Sequence, residues 1–325
     1  MIQKSLKILM LLLSLSTLLG AADSSILYKG YFNKSYLDAK NSIMAGATTA
    51  TAKGYSAMQS NPAGLSTNHN IVVYTRAVAV NTTDSDGTQV GGTDPADHIS
   101  IGGLYDSFGL EYKVDDYAVG GFAYGYESNY GLFSVGVSYL SDMTNITLKA
   151  VQPNQKDEFA TGDYLSYGLM WQKSFIGLED YLAVYVGASH KNSGQYTGEM
   201  NGLIIPVSAS RTNYGLGLET NVFSGSILVT LDMSNEYWQS VDETLSGTSL
   251  GFKWLFGDKF GIGAGMSTQT FSGSVFSDIQ TIGTGVEFGF LLMHMNLGAT
   301  HRIVNDTEGL YLQEDAVHLD VAVAF

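Results

Sequence analysis

Val317-His318-Leu319-Asp320-Val321-Ala322-Val323-Ala324-Phe325 decides the fold of this chain. Odd positions are Val, Leu, Val, Val and Phe; even positions are His, Asp, Ala and Ala. A strict period of two puts one apolar face against one mixed or small face, which is the signature of a β-strand. The strand ends on an aromatic residue.

A strand closing on a terminal Phe resembles the last strand of bacterial outer-membrane β-barrels. In that class the terminal aromatic, here Phe325, is part of the signal read by the barrel-assembly machinery. An edge strand of a soluble β-domain is the alternative. The other end of the chain favours the barrel. Lys4 and Lys7 precede an apolar run from Ile8 to Leu19, and Gly20-Ala21-Ala22 supplies the small residues of a cleavage site. The run is shorter than the roughly 20 residues that a membrane-spanning helix needs. Residues 1–22 are therefore expected to be a cleaved export signal. No Cys follows, so a lipoprotein signal is not expected.

The 325 residues include 38 Gly, 20 Tyr, 15 Phe, 4 Pro and no Cys. An exported chain without disulfides needs a large core or a bilayer around it. Mean hydropathy is +0.06, as expected where lipid-facing and lumen-facing residues alternate. A net charge of −15 argues against nucleic acid as a partner, because phosphate binding requires Lys and Arg.

From residue 69 onward the sequence reads strand, turn, strand. Runs are expected at 69–80, 98–113, 116–127, 131–141, 145–152, 162–173, 181–191, 204–219, 224–234, 248–255, 259–268, 281–290, 291–303 and 316–325. This makes an all-β, antiparallel transmembrane barrel of about 14 strands. Short connections such as Asp115-Asp116 and Gly257-Asp258 alternate with longer acidic ones, the asymmetry expected of a barrel. Tyr112, Tyr117, Tyr124, Tyr126, Tyr130, Tyr139, Trp171, Tyr181, Tyr185, Trp238 and Trp254 fall near strand ends and suit interfacial girdles. His294, Asn296, His318 and Asp320 fall on lumen-facing positions. Glu287 shares an inward face with Gly283, Gly285 and Gly289, where solvent or a lumenal Lys or Arg is its expected partner.

Residues 23–68 lack sustained alternation, and 35–60 are rich in Ala, Ser, Thr and Gly. Small residues lead into Asn61-Pro62-Ala63-Gly64-Leu65, directly before the first strand. Pro62 fixes φ and holds Asn61 extended, and the Asn61 side chain is suited to holding the turn. This stretch, over residues 41–66, resembles the amino-terminal signature of FadL-like outer-membrane transporters. The resemblance implies an organisation of signal (1–22), hatch segment (23–68) and barrel (69–325). It implies transport of hydrophobic small molecules, long-chain fatty acids or hydrocarbons, by a plugged barrel. The solute would leave sideways near a kinked third strand, for which Gly120-Gly121 is the candidate because paired glycines permit a bend. Expected partners are the apolar substrate, outer-membrane lipid and lipopolysaccharide, and the assembly machinery.

Other chemistry finds little support. Gly261-Ile262-Gly263-Ala264-Gly265 lacks the spacing and the following helix of a nucleotide site. The 6 His form no pair at metal-ligand spacing. No hydrolytic cluster can be assembled from the sequence, so neither an enzyme nor a cofactor or metal is expected. A partner in protein secretion or surface attachment, and a diffusion porin, remain the alternatives.

Overall fold

In the computed structural model of the chain, the described residues are 38–93, 99–113, 117–142, 145–149, 156–160, 164–176, 181–193, 199–200, 203–204, 208–222, 225–238, 243–257, 259–272, 276–306 and 310–325. The expected export signal and the region of Asp115-Asp116 lie outside them.

Two short α-helices come first, α1 (Ala39–Ile43) and α2 (Ala57–Ser60), with 3-10 turns at Gly54–Ser56 and Pro62–Thr67. The strands follow: β1 (Ile71–Asp84), β2 (Gln89–Thr93), β3 (Ile99–Tyr105), β4 (Phe108–Lys113), β5 (Tyr117–Ser128), β6 (Gly131–Asp142), β7 (Asn145–Lys149), β8 (Lys156–Ala160), β9 (Tyr164–Ile176) and β10 (Tyr181–Ser193). The rest are β11 (Glu199–Met200), β12 (Leu203–Ile204), β13 (Ser208–Val222), β14 (Gly225–Trp238), β15 (Glu243–Phe256), β16 (Phe260–Phe271), β17 (Phe276–Phe290), β18 (Met293–Asp306) and β19 (Leu310–Ala324).

Neighbours in sequence pair antiparallel around a ring, and β19 returns to β1 along Val72↔Ala324 to Asp84↔Leu312. The Phe325 N–H donates to the Ile71 carbonyl at 2.8 Å and completes the seam. β2 and β3 pair with the same side of β1, so the wall is 14 strands thick in circumference and closed. Closure removes the strand edges that a bilayer could not satisfy.

The burial pattern inverts that of a soluble sandwich. On β6, Phe133, Val135, Val137 and Tyr139 point outward and are exposed, while Ser134 and Ser138 are buried inside. On β14, Val229, Leu231 and Met233 face out, and Thr230 and Asp232 face in. An apolar outer face around a polar interior belongs in lipid. His301 and Asp315 pair at 2.7 Å on adjacent outward positions of β18 and β19, above that apolar face.

The expected number of wall strands is found, though three of the expected runs are placed differently. The run 98–113 is a hairpin, β3 and β4, turning at Asp106-Ser107, where Asp106 has φ +49°. The run 145–152 is not in the wall; β7 pairs only with β8 in a separate two-stranded sheet. The run 204–219 is likewise not one strand, since β12 pairs with β11 and the wall strand begins at Ser208. Tyr117 and Tyr185 do not belong to an outer girdle; both point inward.

The inward face of the wall is paved with glycine. Gly136 pairs with Gly168, Gly187 with Gly215, and Gly265 with Gly283 across successive strands. A Cβ at Gly136 would collide with the Pro62 backbone, and one at Gly283 with the Ser42 carbonyl. The inner segment, residues 38–68, therefore touches the wall backbone to backbone. Gly136→Val is expected to lower unfolding free energy in urea by about 1–3 kcal/mol through overpacking. Gly120→Ala, which meets nothing closer than 3.8 Å, is expected to leave the transition in place.

Candidate functional site: the inner segment and the wall it meets

Asn61 is fully buried and joins three pieces of backbone. Its Oδ1 accepts from the Ala63 N–H at 3.2 Å, and its Nδ2 donates to the Thr49 carbonyl at 2.8 Å and to the Leu169 carbonyl on β9 at 3.2 Å. Pro62 starts the 3-10 turn with Asn61 extended at φ −147° and ψ 100°. Ala63 and Gly64 are buried in that turn, and Gly64 leaves no room for a Cβ against the Ala52 carbonyl. Further fastenings surround it. Ser66 Oγ donates to Ser134 Oγ at 2.6 Å, Ser138 Oγ donates to the Met58 carbonyl at 2.7 Å, and the Thr49 N–H donates to Asp232 Oδ2 at 2.7 Å.

A polar cluster occupies the opposite side of the lumen. Its members share one ladder row, because Asn296 faces Asp320, Asp320 faces Arg76, Arg76 faces Ser100, Ser100 faces Lys113, and Lys113 faces Tyr117. Arg76 Nη2 donates to Glu111 Oε1, and Arg76 Nη1 stands 3.7 Å from Asp38 Oδ2. Glu111 also accepts from Tyr74 at 2.8 Å and from Tyr117 at 2.5 Å. Tyr55 stacks on Tyr74 with ring centroids 4.5 Å apart, donates to Asp320 at 3.3 Å and accepts from Asn296 at 2.6 Å. A buried guanidinium is tolerable only with such partners. Glu287, expected to be solvated or paired, is paired with Lys253 at 2.5 Å.

Two charged groups of the inner segment feel this enclosure. Burial pushes the Asp38 carboxyl above its ordinary range, against the pull of Arg76. Asp38 also caps α1, accepting from the Asn41 N–H at 2.9 Å. Burial, with help from the Lys40 ammonium, holds the Lys53 ammonium below its ordinary range while Glu219 opposes. Lys53 lies 5.2 Å from the Tyr185 ring centroid.

Above the cluster the wall is low. β4 spans six residues and β3 seven, whereas β1 spans 14. β4 stops at Lys113, level with Arg76, while β1 continues upward with β2 beside it. The far edge of β2 carries no ladder partner among the described residues. The ladder passes through Gly120 and Gly121 without a register shift on either side. Gly121 instead makes room for the inner segment, since a Cβ there would stand 2.9 Å from Leu65 Cδ1. Beneath the low wall Met58, Leu65, Leu104 and Val119 form an apolar cluster, with Val72, Tyr117 and Leu140 packed against it.

Arg76, Glu111, Tyr55 and Asp38 were not singled out by sequence. For Arg76 and Glu111 the one available signal was an ionisable residue at an inward position of an otherwise apolar or small-residue strand. Among the described residues no group of three His, Asp or Glu is placed to hold a metal ion.

The closed ring has solved counterparts. The deltaS2S3 mutant of the TodX monoaromatic hydrocarbon channel aligns over 88% of this chain and 98% of its own, with TM-score 0.51 and 12% identity. The two share a fold. A Pseudomonas aeruginosa FadL homologue aligns over 89% of this chain and 98% of its own, at TM-score 0.47 and 11% identity. The P. putida toluene transporter TodX aligns over 87% and 96%, at 0.42 and 13%. No protein-family model and no curated protein matches the sequence. At these identities the likeness concerns fold alone.

A lysine held below its ordinary range favours the neutral form in the folded state. Its contribution therefore rises with pH toward the unfolded value of about 10.4 and is lost as pH falls. Lys53→Met is expected to raise the urea midpoint at neutral pH and to flatten the rise in stability from pH 7 toward about pH 10. Equilibrium unfolding across that range checks it.

Proposed function

We propose that this chain is a FadL-like outer-membrane transporter of hydrophobic small molecules. In this reading residues 38–68 are a hatch that closes the lumen, and the solute leaves sideways over the low wall at β4. The observation that carries the reading is the pairing of a glycine-seated inner segment with a wall in which, among the described residues, β2 has no partner but β1. The fold likeness to a channel named for monoaromatic hydrocarbons supports the substrate class, and the apolar cluster under the β4–β5 hairpin supports the route. Lipopolysaccharide resists apolar solutes, and a water-filled pore offers them no favourable path. A lateral exit delivers them to hydrocarbon without crossing water. The motif residues Asn61, Pro62, Ala63 and Gly64 then hold the hatch, Phe325 carries the assembly signal, and the export signal precedes them.

The decisive experiment is uptake of labelled long-chain fatty acid and labelled toluene by cells lacking their own transporter, with barrel assembly verified by heat-modifiable gel mobility. Uptake above the empty-vector control by at least several-fold is expected for one of the two. A correctly assembled barrel that takes up neither overturns the reading.

The hatch has its own test, because the chain has no native cysteine. Ser66→Cys with Ser134→Cys replaces two hydroxyls now 2.6 Å apart. Oxidation is expected to cut uptake at least tenfold, and reductant to restore it. Undiminished uptake by the oxidised protein means that the Ser66 region stays in place during passage. Asn61→Ala is expected to lower uptake while leaving assembly intact, read in the same assay.

A further inference from the structure

The turn between β17 and β18 breaks the pattern of its end of the barrel. At the other described tight turns of that end no aliphatic residue occupies the turn: Asp106-Ser107, Asn129-Tyr130-Gly131 and Gly257. Here the chain reads Phe290-Leu291-Leu292-Met293. Leu291 is 85% exposed and sits at φ +54°, a conformation that turns normally assign to Gly, Asn or Asp. A strained, exposed leucine is an outlier that calls for a cause. Phe290, Leu292 and Phe325 are exposed beside it, and Phe325 meets the seam where Ala324 N–H donates to the Leu292 carbonyl at 2.8 Å.

We propose that this apolar lip, Phe290 to Met293 with Phe325, is embedded in the acyl chains of the periplasmic leaflet. The lip is continuous with the outer apolar face. Phe288 packs tilted against Phe260 at 5.4 Å between ring centroids, Phe260 stacks on Phe256 at 5.6 Å, and Met293 and Leu297 continue the exposed face up β18. No charged side chain lies between them on the outward positions of β18, which are Met293, Met295, Leu297 and Ala299 up to His301.

The height of the band fixes where it ends. The exposed His301–Asp315 pair marks its upper edge on this side. Leu291 lies ten positions below His301. At about 3.4 Å per residue and a tilt of about 40°, that is about 26 Å along the barrel axis. The apolar band of such barrels is about 25 Å tall. Measured down from the pair, the hydrocarbon reaches the turn itself. A polar turn here would leave the band short, and leucine in place of glycine or asparagine keeps it apolar to the end.

The test uses the absence of native cysteine. Leu291→Cys, Leu297→Cys and Asp106→Cys are each labelled with NBD and reconstituted in phosphatidylethanolamine–phosphatidylglycerol vesicles. Emission from position 291 is expected at the blue-shifted wavelength of position 297. Nitroxide on the acyl chains is expected to quench it at least twofold more than at position 106, and aqueous iodide to quench it less. Water-like emission with iodide quenching equal to position 106 overturns the proposal. Self-quenching that grows with protein-to-lipid ratio, without nitroxide quenching, also overturns it and assigns the lip to a contact between copies of this chain. None of these readouts depends on transport, so failure of the functional reading leaves the lip's placement to stand or fall by itself.

Discussion

Every peptide group in the wall must find its partner within the protein, because hydrocarbon offers none. The β1–β19 ladder is the bond set on which this rests. It runs the length of both strands and turns a sheet with two open edges into a ring. Closure also creates an interior that water does not freely fill, and this second consequence shapes the sequence as strongly as the first. Inward positions must be polar enough to suit a barrel lumen, or bare enough to let another backbone approach. β6 does both, with Ser134 and Ser138 on either side of Gly136.

The inner segment answers the same constraint from inside. It has too little regular structure to satisfy its own backbone and too many small residues to build a core. Its groups are taken up by Asp232, Asn61, Ser138 and Asp38, each of which supplies an acceptor or donor at a fixed height in the wall or the turn. The glycines opposite make such short reach possible. The high glycine content of the chain is thus a property of an interface between wall and segment, more than of flexibility.

Alternation alone placed most of the wall. The 131–141 and 316–325 runs carry a complete period-two pattern, and both lie in the barrel with the expected face outward. The total of 14 came right through two compensating errors. The 98–113 run hides a turn, although its apolar positions change phase there. Ile99, Ile101 and Tyr105 are outward on odd numbers, and Phe108, Leu110 and Tyr112 on even ones. A phase change is the legible mark of a hairpin. The 145–152 run alternates too, but pattern cannot say which partner a strand will pair with. The glycine repeat at 261–265 was read as a strand face without the reason for it, because the reason is a segment some 220 residues away. Arg76, Glu111 and Asp38 were invisible as a unit for the same cause. Only the hairpin of β3 and β4 sets Glu111 near Arg76, and only the folding of the inner segment adds Asp38, so none of these contacts is written in one strand alone.

The two sides of the lumen hold the inner segment by different physics. Against β6 and the strands from β9 to β18 the segment lies backbone on bare backbone at Gly136, Gly187, Gly265 and Gly283, with side-chain bonds from Ser134, Ser138 and Asp232 beside those seats, and loosening it requires moving main chain. Against β1 to β5 the contact is made by side chains with rotatable bonds: Met58, Leu65, Tyr55 and Gln59 from the segment, Tyr74, Arg76, Glu111 and Tyr117 from the wall. Rotamer changes cost far less than displacing a packed backbone. The side that can yield is also the side where β4 is short and where, among the described residues, β2 pairs with β1 alone. Among those residues, rigid seating and the low wall therefore fall on different parts of one ring.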